Sequence, residues 1–539
     1  LILSIKNFIN MKKTFYFFCF LIFLIFSTTS CIKDEFNIDN IATSEWSPNV
    51  AAPIINSNLN MWDIMNDYDS TEVFEEYNTK LIYLVYQWNI ATNKMENYIN
   101  IPSQNQSFSQ ITINIPGGNL SSDYEVTHNY TFTLSLPNGM IIDTMVLKSL
   151  DLSLNINHNI NYPIDVDFSI NNATVNGSPH NESFSVPSLD YDYNKHYNNI
   201  KLRLGANNQL SFDIKITIHG NGSANLSPYY FILSIGMNNF SFSRLFGNLG
   251  NYNFNLDNDT ITIDLYNNHF DGIINWEDPK IFLNIANSVG APVNINLNQI
   301  TAHRTNPPAN TVNITTSIPN PWTAIYPSLA EIGQSKISYQ QINKSNSNIV
   351  DAFNISPNSI DIIANAQINS NSHSNFVIDT SRLHLNGRVE LPFHGKAKDF
   401  TLIDTVDLDL GDSTYFKYVD WFMFKILTNN FYPIDADVQV YLLDSLNNVI
   451  DSIIPADQRI VNSGVVGPGP DYRVLTPSAK MTTNKFEGSR KDALVNVRKA
   501  LIKAVLNTTD HGSSIVKIYS YEYVNVRVSA QAQLNNLTF

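Results

Sequence analysis

Cysteine and charged side chains are scarce in this sequence. Only two cysteines occur among 539 residues, and Asp, Glu, Lys and Arg together make up 15% of the chain. Acidic residues outnumber basic ones by 48 to 33, which gives a net charge of −15. Because nucleic-acid binding depends on basic contacts to phosphate, this composition excludes a general nucleic-acid binder.

Several catalytic motifs are also missing. The histidines show no HExxH spacing, and neither a GxSxG nor a GxxxxGK[ST] motif is present. The segment FGNLGN at 246–251 is typical of a turn and not of a nucleotide-binding loop. We therefore expect a protein that is not an enzyme and that needs no cofactor.

A single long apolar run lies near the start of the sequence. It covers 13 residues, Thr14–Phe26, and follows the positive segment Met11-Lys12-Lys13. This run is too short for a membrane-spanning helix and is typical of a signal peptide. We therefore predict that residues 1–30 are a signal peptide, with translation starting at Met11.

A cysteine stands directly after this run, in FSTTSCIKDEF. The segment resembles the lipobox of bacterial lipoproteins, although Thr28 stands where the commonest lipobox has leucine. The resemblance implies cleavage before Cys31 and a covalent lipid on its sulfur, so that residues 31–56 form a tether to the outer membrane. A secreted protein with an incidental cysteine and an uncleaved signal anchor are the alternatives.

The residues after the cysteine add a second resemblance. Lys33, Asp34 and Glu35 resemble the export signal that sends lipoproteins of Bacteroidota to the cell surface. Three further stretches, at 45–59, 276–293 and 389–410, look like segments of uncharacterised surface lipoproteins from the same phylum. Cys19 leaves with the signal peptide and Cys31 carries lipid, so no cysteine remains for a disulfide or a metal site.

The rest of the chain predicts an all-β fold. Alternating polar and apolar runs recur between turns rich in Asn and Gly, which favours about three tandem β-sandwich domains at 57–225, 226–350 and 351–539. Four Asn-Gly pairs favour two-residue hairpins, the clearest in LHLNGRVEL at 383–391. These pairs begin at Asn138, Asn176, Asn221 and Asn386.

An internal repeat supports this architecture. Residues 150–170, 279–300 and 421–443 each contain a strand, an Asn-containing turn, a proline and a second alternating strand. The pattern is loosely similar to a turn of the immunoglobulin-like sandwich in plant late-embryogenesis stress proteins. Helix is expected only at 58–67, near the N-terminus, and from Ser489 to about Leu506, near the C-terminus, where Ser-Arg-Lys-Asp matches a capping box.

Candidate sites are few. Trp322 and Tyr326, in the Pro-rich loop SIPNPWTAIYP, are candidates for a partner contact. Two acidic segments are typical of strands with one solvent-facing side. A calcium site is the alternative, but neither segment has the order of acidic residues found in a calcium-binding loop. Their acids are Asp257, Asp259, Asp264, Asp404, Asp407, Asp409 and Asp412. Asp followed by Ser or Thr resembles the O-glycosylation site of exported Bacteroidota proteins, and it occurs at Ser70, Thr144, Thr260, Thr405, Ser413, Ser445 and Ser452.

Three function classes follow from these observations. The first is a surface-exposed, lipid-anchored binding or structural protein that serves adhesion, surface organisation or the capture of a ligand such as a surface glycan. The second is an accessory subunit of an outer-membrane β-barrel complex for transport, export or assembly. The third is a glycan-active enzyme, which the sequence supports least.

Overall fold

A computed structural model describes residues 47–60, 73–266, 272–370, 372–407, 417–455 and 461–535. The all-β fold is confirmed: the described residues form 35 strands and two short α-helices. The helices are α1 (Ile349–Asn354) and α2 (Gly488–Ala493). Short 3-10 turns lie at Met95–Asn97, Pro137–Gly139, Ala206–Asn208, Asp264–Tyr266, Leu329–Glu331 and Leu494–Asn496.

The strands are numbered in chain order. Those before residue 250 are β1 (Asn49–Asn60), β2 (Val73–Glu75), β3 (Ile82–Lys94), β4 (Gln104–Ser107), β5 (Ile111–Ile113), β6 (Tyr124–Thr133), β7 (Ile141–His158), β8 (Ile164–Ile170), β9 (Ala173–Val175), β10 (Ser178–Pro179), β11 (Glu182–Val186), β12 (Asp190–Arg203), β13 (Gln209–Ile218) and β14 (Tyr229–Asn248). The middle strands are β15 (Gly250–Thr262), β16 (Ile273–Trp276), β17 (Lys280–Asn287), β18 (Val293–Arg304), β19 (Asn310–Asn313), β20 (Trp322–Ala324), β21 (Lys336–Ile342), β22 (Ser359–Ser370), β23 (Phe376–Ile378), β24 (Arg382–Pro392) and β25 (His394–Lys398). The last are β26 (Phe400–Asp407), β27 (Val419–Asn430), β28 (Ile434–Leu443), β29 (Val449–Ser452), β30 (Val465–Val466), β31 (Val474–Thr476), β32 (Ser478–Glu487), β33 (Lys499–Thr508), β34 (Val516–Lys517) and β35 (Tyr523–Leu534).

The first sandwich packs two antiparallel sheets. One has the order β10-β9-β12-β7-β14-β23, with β4 and β5 also paired to β14, and the other has the order β11-β8-β13-β6. Strand β8 alternates strictly between buried and half-buried residues, which is the pattern of a sheet with one wet face. The sheets meet where the ring of Phe184 on β11 stacks on Tyr193 of β12, with centroids 4.0 Å apart.

The second and third sandwiches each pair two more sheets. The second combines β2-β3-β24-β17-β21 with β15-β22-β18-β19, to which β20 is added through β18. The third combines β1-β35-β27-β32 with β26-β33-β28-β29. A three-stranded sheet, β16-β25-β34, connects the second and third sandwiches.

Strand pairing brings distant parts of the chain together. The first described strand, β1, pairs with the last, β35, over its whole length, and β3 pairs with β24. Segments from both ends of the chain therefore form the third sandwich. In the sequence, most of the first sandwich lies between β3 and β15, which both belong to the second. The linear boundaries at 57–225, 226–350 and 351–539 stay a prediction, and these strand pairs cross them.

The three repeat copies are the corners at which the chain passes between the two sheets of a sandwich. In each copy, the last residue of the first strand is buried: His158, Asn287 and Asn430 are 3%, 0% and 1% exposed. Each side chain accepts a hydrogen bond from the backbone N–H two residues later. The distances are 3.1 Å for His158, 2.9 Å for Asn287 and 2.9 Å for Asn430. These bonds fix the corner and satisfy buried backbone groups.

The clearest predicted hairpin is wrong. Residues 383–391 lie within the single strand β24, which continues through Asn386 and Gly387. Gly387 pairs with Trp88 of β3, and a Cβ atom at this position would lie 2.3 Å from the tryptophan ring. Glycine is required here because an aromatic ring occupies the space of a side chain, and not because the chain turns.

The remaining local predictions have mixed outcomes. Asn176 and Gly177 do form a hairpin turn between β9 and β10. The short C-terminal helix is confirmed but ends early: α2 is followed by one 3-10 turn, and residues from Lys499 onwards form β33, which pairs on both sides with strands. Of the helix predicted at 58–67, residues 58–60 belong to β1, and the others lie outside the described residues.

Candidate functional site: an amide-lined hollow on the third sandwich

The outer face of the sheet β1-β35-β27-β32 presents a row of amide side chains. Asn58 on β1 and Asn429 on β27 both lie opposite Asn525 on the central strand β35. Asn56 lies one step further along, opposite Arg527. Directly opposed residues project to the same side of a sheet, so these side chains share one surface.

This surface contains a hollow of about 370 Å³ that is open to solvent. We call it the amide hollow, and its lining residues are Asn56, Asn58, Asn429, Tyr523, Asn525 and Arg527. The lining includes four amides, one phenol and one guanidinium, and no carboxylate. It therefore differs in charge from the acidic chain as a whole.

Hydrogen bonds hold the centre of the amide hollow in place. Asn525 Nδ2 donates to Asn58 Oδ1 at 2.8 Å and to Asn56 Oδ1 at 3.3 Å. Asn525 Oδ1 in turn accepts a hydrogen bond from Arg527 Nε at 3.0 Å. Tyr523 is stacked on Phe431, with ring centroids 4.6 Å apart. The positions of these side chains are thus fixed before any ligand binds.

Other polar groups of the hollow remain available. Within the described part of the chain, the side-chain amide of Asn429 and the two terminal nitrogens of Arg527 make no hydrogen bond, and the same is true of the Nδ2 atoms of Asn56 and Asn58. The hollow therefore offers several donors and an amide acceptor to a bound molecule.

The structure separates the two residues predicted to contact a partner. Trp322 lies in β20 and is 5% exposed, so its ring belongs to the core. Tyr326, by contrast, is 41% exposed. Four more apolar side chains are exposed on the same loop, the following 3-10 turn and strand β21, namely Ile325, Leu329, Ile337 and Tyr339.

The acidic segments do not gather into a described metal site. Asp264 lies in a 3-10 turn, and Asp407 is exposed at the end of β26. The side chains of the other acids, Asp257, Asp259, Asp404, Asp409 and Asp412, lie outside the described residues. In the described part of the chain, no group of three His, Cys, Asp or Glu residues is placed to hold a metal ion.

The candidate modification sites differ in exposure. Thr260, Thr405 and Ser445 are exposed, whereas Thr144 and Ser452 are half-buried within strands. Thr260 donates a hydrogen bond to Asp361 at 2.6 Å. Six candidates lie outside the described residues: Cys31, Lys33, Asp34, Glu35, Ser70 and Ser413.

A histidine in the first sandwich lies between two carboxylates. His219 Nε2 is 2.9 Å from Asp165 Oδ2, and Nδ1 is 3.1 Å from Asp123 Oδ2. The hydrogen bonds to Asp165 and Asp123 raise the pKa of His219 above its ordinary value. Ser185 Oγ donates to Asp165 and not to the imidazole, so this group lacks the serine-to-histidine contact of an activated nucleophile.

Sequence reasoning did not identify the amide hollow. The alternation in YVNVRV, residues 523–528, indicates that Tyr523, Asn525 and Arg527 share one face of a strand. The pairing partner is 467 residues away from Asn525, at Asn58, and no local pattern marks it. The sequence therefore indicates a strand with these residues on one face, but no pattern in it indicates that they line a site.

In the part of the chain that the structure describes, no helix is long and apolar enough to span a membrane. Comparisons with known families and with curated proteins gave no match. Solved structures gave distant likenesses.

One likeness is to a protein of Parabacteroides distasonis described as a candidate secreted protein, with a TM-score of 0.31 and 14% identity over 52% of this chain and 82% of that one. A second is to the CBM22-1–CBM22-2 tandem domain of Paenibacillus barcinonensis Xyn10C, with a TM-score of 0.15 and 8% identity over 52% and 96%. A third is to a triple jelly-roll turret structure of an archaeal virus, with a TM-score of 0.12 and 8% identity over 83% and 96%. At these scores the likenesses do not identify a function.

Proposed function

We propose that this protein is a non-catalytic binding protein of the bacterial cell surface, held in the outer membrane by lipid on Cys31, and that the amide hollow binds a neutral carbohydrate. The observation that carries the binding proposal is the row Asn58, Asn525 and Asn429 across three strands, beside Arg527 and a stacked tyrosine.

The chemistry of the lining favours sugar hydroxyls. A hydroxyl both donates and accepts a hydrogen bond, and an amide side chain offers both a donor and an acceptor. The available groups are several donors with one free amide acceptor, which is a suitable set for neighbouring hydroxyls on one ring. The Tyr523 ring adds an apolar surface on which the C–H face of a sugar can pack.

The absence of a carboxylate from the lining also bears on the ligand. Arg527 is the single charged residue of the hollow, and its Nε is already bonded to Asn525. A cationic ligand would meet no opposite charge there. The amides outnumber the single guanidinium four to one, so most hydrogen-bonding groups of the hollow suit a neutral ligand.

The position of the hollow agrees with attachment at Cys31. The last residues of the predicted tether, 49–56, belong to β1, which supplies Asn56 and Asn58. The binding surface would then lie on the sandwich into which the anchor leads.

Replacement of Cys31 by serine should move the protein out of the membrane fraction, and membrane retention of the correctly cleaved variant would contradict the anchor.

Calorimetric titration with a panel of neutral oligosaccharides tests the binding site. Asn525→Ala and Arg527→Ala should each weaken binding about tenfold, since each removes hydrogen bonds and loosens its neighbours. Asn386→Ala is the matched control, because Asn386 lies opposite Asn284 in a similar amide row on the outer face of the second sandwich. Equal losses in all three variants, or no binding by the unaltered protein, would contradict the proposal.

An accessory role beside a β-barrel protein is the second candidate, favoured by the exposed apolar group around Tyr326. Ile337 and Tyr339 on the edge strand β21 are 67% and 71% exposed. Affinity capture from mildly solubilised outer membranes tests this role. A stoichiometric barrel protein that is lost from the Ile337→Asp variant would support it, and recovery of the chain alone would oppose it.

A further inference from the structure

An unusual concentration of positive charge lies on the sheet that connects the second and third sandwiches. His394, Lys396 and Lys398 alternate along β25 and so project to one side. Lys517 on β34 lies directly opposite His394 and shares this side. We call the surface formed by these four residues the basic face.

The opposite side of the same sheet is apolar, which fixes the direction in which the basic face points. Gly395, between His394 and Lys396, pairs with Trp276 on one neighbouring strand and with Val516 on the other. These two side chains share the side away from the lysines and are 3% and 2% exposed. Lys398, by contrast, is exposed, and Lys396 and Lys517 are half-buried. The lysines therefore line the wet side of the connecting sheet.

The cations of the basic face lack acidic partners. Among the described residues, Lys396 and Lys398 form no ion pair, and Lys517 Nζ donates only to the backbone carbonyl of Pro470, at 2.8 Å. The nearby Asp278 is shared between Lys280, at 3.3 Å, and Lys344, at 3.6 Å. Three unpaired lysines on one face are unexpected in a chain with a net charge of −15.

The pKa of His394, within the basic face, reflects its burial first and the surrounding positive charges second. Burial lowers the pKa of His394 to about 4, and the charges of Lys517 and Lys344 act in the same direction, outweighing Asp278. His394 is therefore neutral at pH 7, and its ring lies 5.7 Å from the ring of Tyr472. An anion bound here would relieve the repulsion among the lysines.

The cations are arranged in a line and do not converge on one point. Residues two apart on a strand are separated by about 7 Å, so Lys517, which lies opposite the neutral His394, is followed along β25 by Lys396 and then by Lys398. A single phosphate needs donors that converge on it, whereas an extended chain with repeated negative groups matches a row. Tyr472 lies beside His394 at one end of the row, and Lys344 adds a further positive charge near it.

We propose that the basic face binds a linear anionic polysaccharide, with Lys396, Lys398 and Lys517 each contacting a negative group of the chain. This site is separate from the amide hollow and uses none of its residues. The protein thus has two carbohydrate-binding surfaces of different charge preference, one on the third sandwich and one where it meets the second.

Affinity electrophoresis in gels that contain polygalacturonate tests the proposal on the full chain. The Lys396→Gln/Lys398→Gln variant should bind at least about tenfold more weakly than the unaltered protein, since two charge-assisted contacts are removed. The control is Lys499→Gln/Lys503→Gln on β33, which removes the same charge from another sheet, where Lys499 lies opposite Asp407. The control should bind like the unaltered protein.

Additional gels and vesicles distinguish the basic face from a general charge effect and from a lipid-binding surface. Binding should weaken strongly as salt rises to about 0.5 M, because screening shortens the reach of exposed charges. In gels with neutral dextran, both lysine variants should migrate like the unaltered protein, because the amide hollow is intact in all three. Arg527→Ala in the amide hollow should leave polygalacturonate binding unchanged, so that failure at one site is distinguishable from failure at the other. Equal losses in both lysine pairs, or binding to phosphatidylglycerol vesicles without binding to polygalacturonate, would overturn the proposal.

Discussion

Replacing Glu522 by glutamine should make the stability of the protein less dependent on pH. Glu522 is 3% exposed and lies in the turn between β34 and β35. Its Oε2 atom accepts a hydrogen bond from Tyr519 N at 3.0 Å, and its own N–H donates to Tyr519 O at 3.1 Å. Burial raises the pKa of Glu522 from its ordinary 4.5 to about 8.

The size and sign of the effect follow from this shift. The folded state prefers the protonated carboxyl, so the associated stability is fully present below pH 4.5 and is lost as pH rises through about 8. At 1.36 kcal/mol per pH unit, the loss amounts to at most about 5 kcal/mol. This is a large share of the roughly 5 to 15 kcal/mol that stabilise a folded domain. Glutamine can still accept the Tyr519 hydrogen bond and carries no charge at any pH.

Urea denaturation at pH 5, 7 and 9 measures the difference. The free energy of unfolding of the Glu522→Gln variant should come close to that of the unaltered protein at pH 5 and exceed it increasingly at pH 7 and 9. If the two proteins instead lose stability in parallel between pH 5 and 9, the buried carboxyl does not carry the proposed cost.

Glu182 provides a control because its pKa is shifted in the opposite direction to that of Glu522. Its burial opposes ionisation, but the hydrogen bond from Tyr193, at 2.6 Å, and the charge of Lys195 outweigh it and lower the pKa of Glu182. The stability that this carboxylate contributes is present above its ordinary pKa and is lost as pH falls. Glu182→Gln should therefore be destabilising at pH 7 and 9, and less so at lower pH.

Three further predictions concern packing. Gly387→Ala should destabilise the protein by about 1 to 3 kcal/mol, because the new methyl group meets a tryptophan ring. Gly118→Ala is the control, since no atom lies within 4 Å of the new methyl group, and it should not destabilise the protein. Denaturant titration measures the free energy of unfolding of both variants. Asn287→Ala should cost about 1 to 3 kcal/mol by leaving the Val289 N–H of the corner unpaired, measured in the same way. Trp322→Ala should lower stability by about 3 to 5 kcal/mol as a core truncation, while Tyr326→Ala leaves the melting temperature unchanged and is the better probe of partner binding.

Local patterns predicted the strands well where one face is buried. Ile164, Val166 and Phe168 alternate with acids in the sequence, and the structure places all three in the core. A helix was predicted at residues 499–506, although the same alternation is present there. Ala500, Ile502 and Ala504 also recur at every second position, and pairing with β26 and β28 on both sides selects the strand.

The sequence by itself determined that this chain alternates along many strands, that three corners recur, and which residues of a strand share a face. Only the tertiary structure decided which strands are neighbours. Backbone hydrogen bonds between strands are the same for every sequence, so the pattern of β1 does not identify β35 as its partner. The amide hollow joins Asn58 to Asn525, and the basic face joins His394 to Lys517. Both sites exist because distant strands pair, which a local pattern cannot specify.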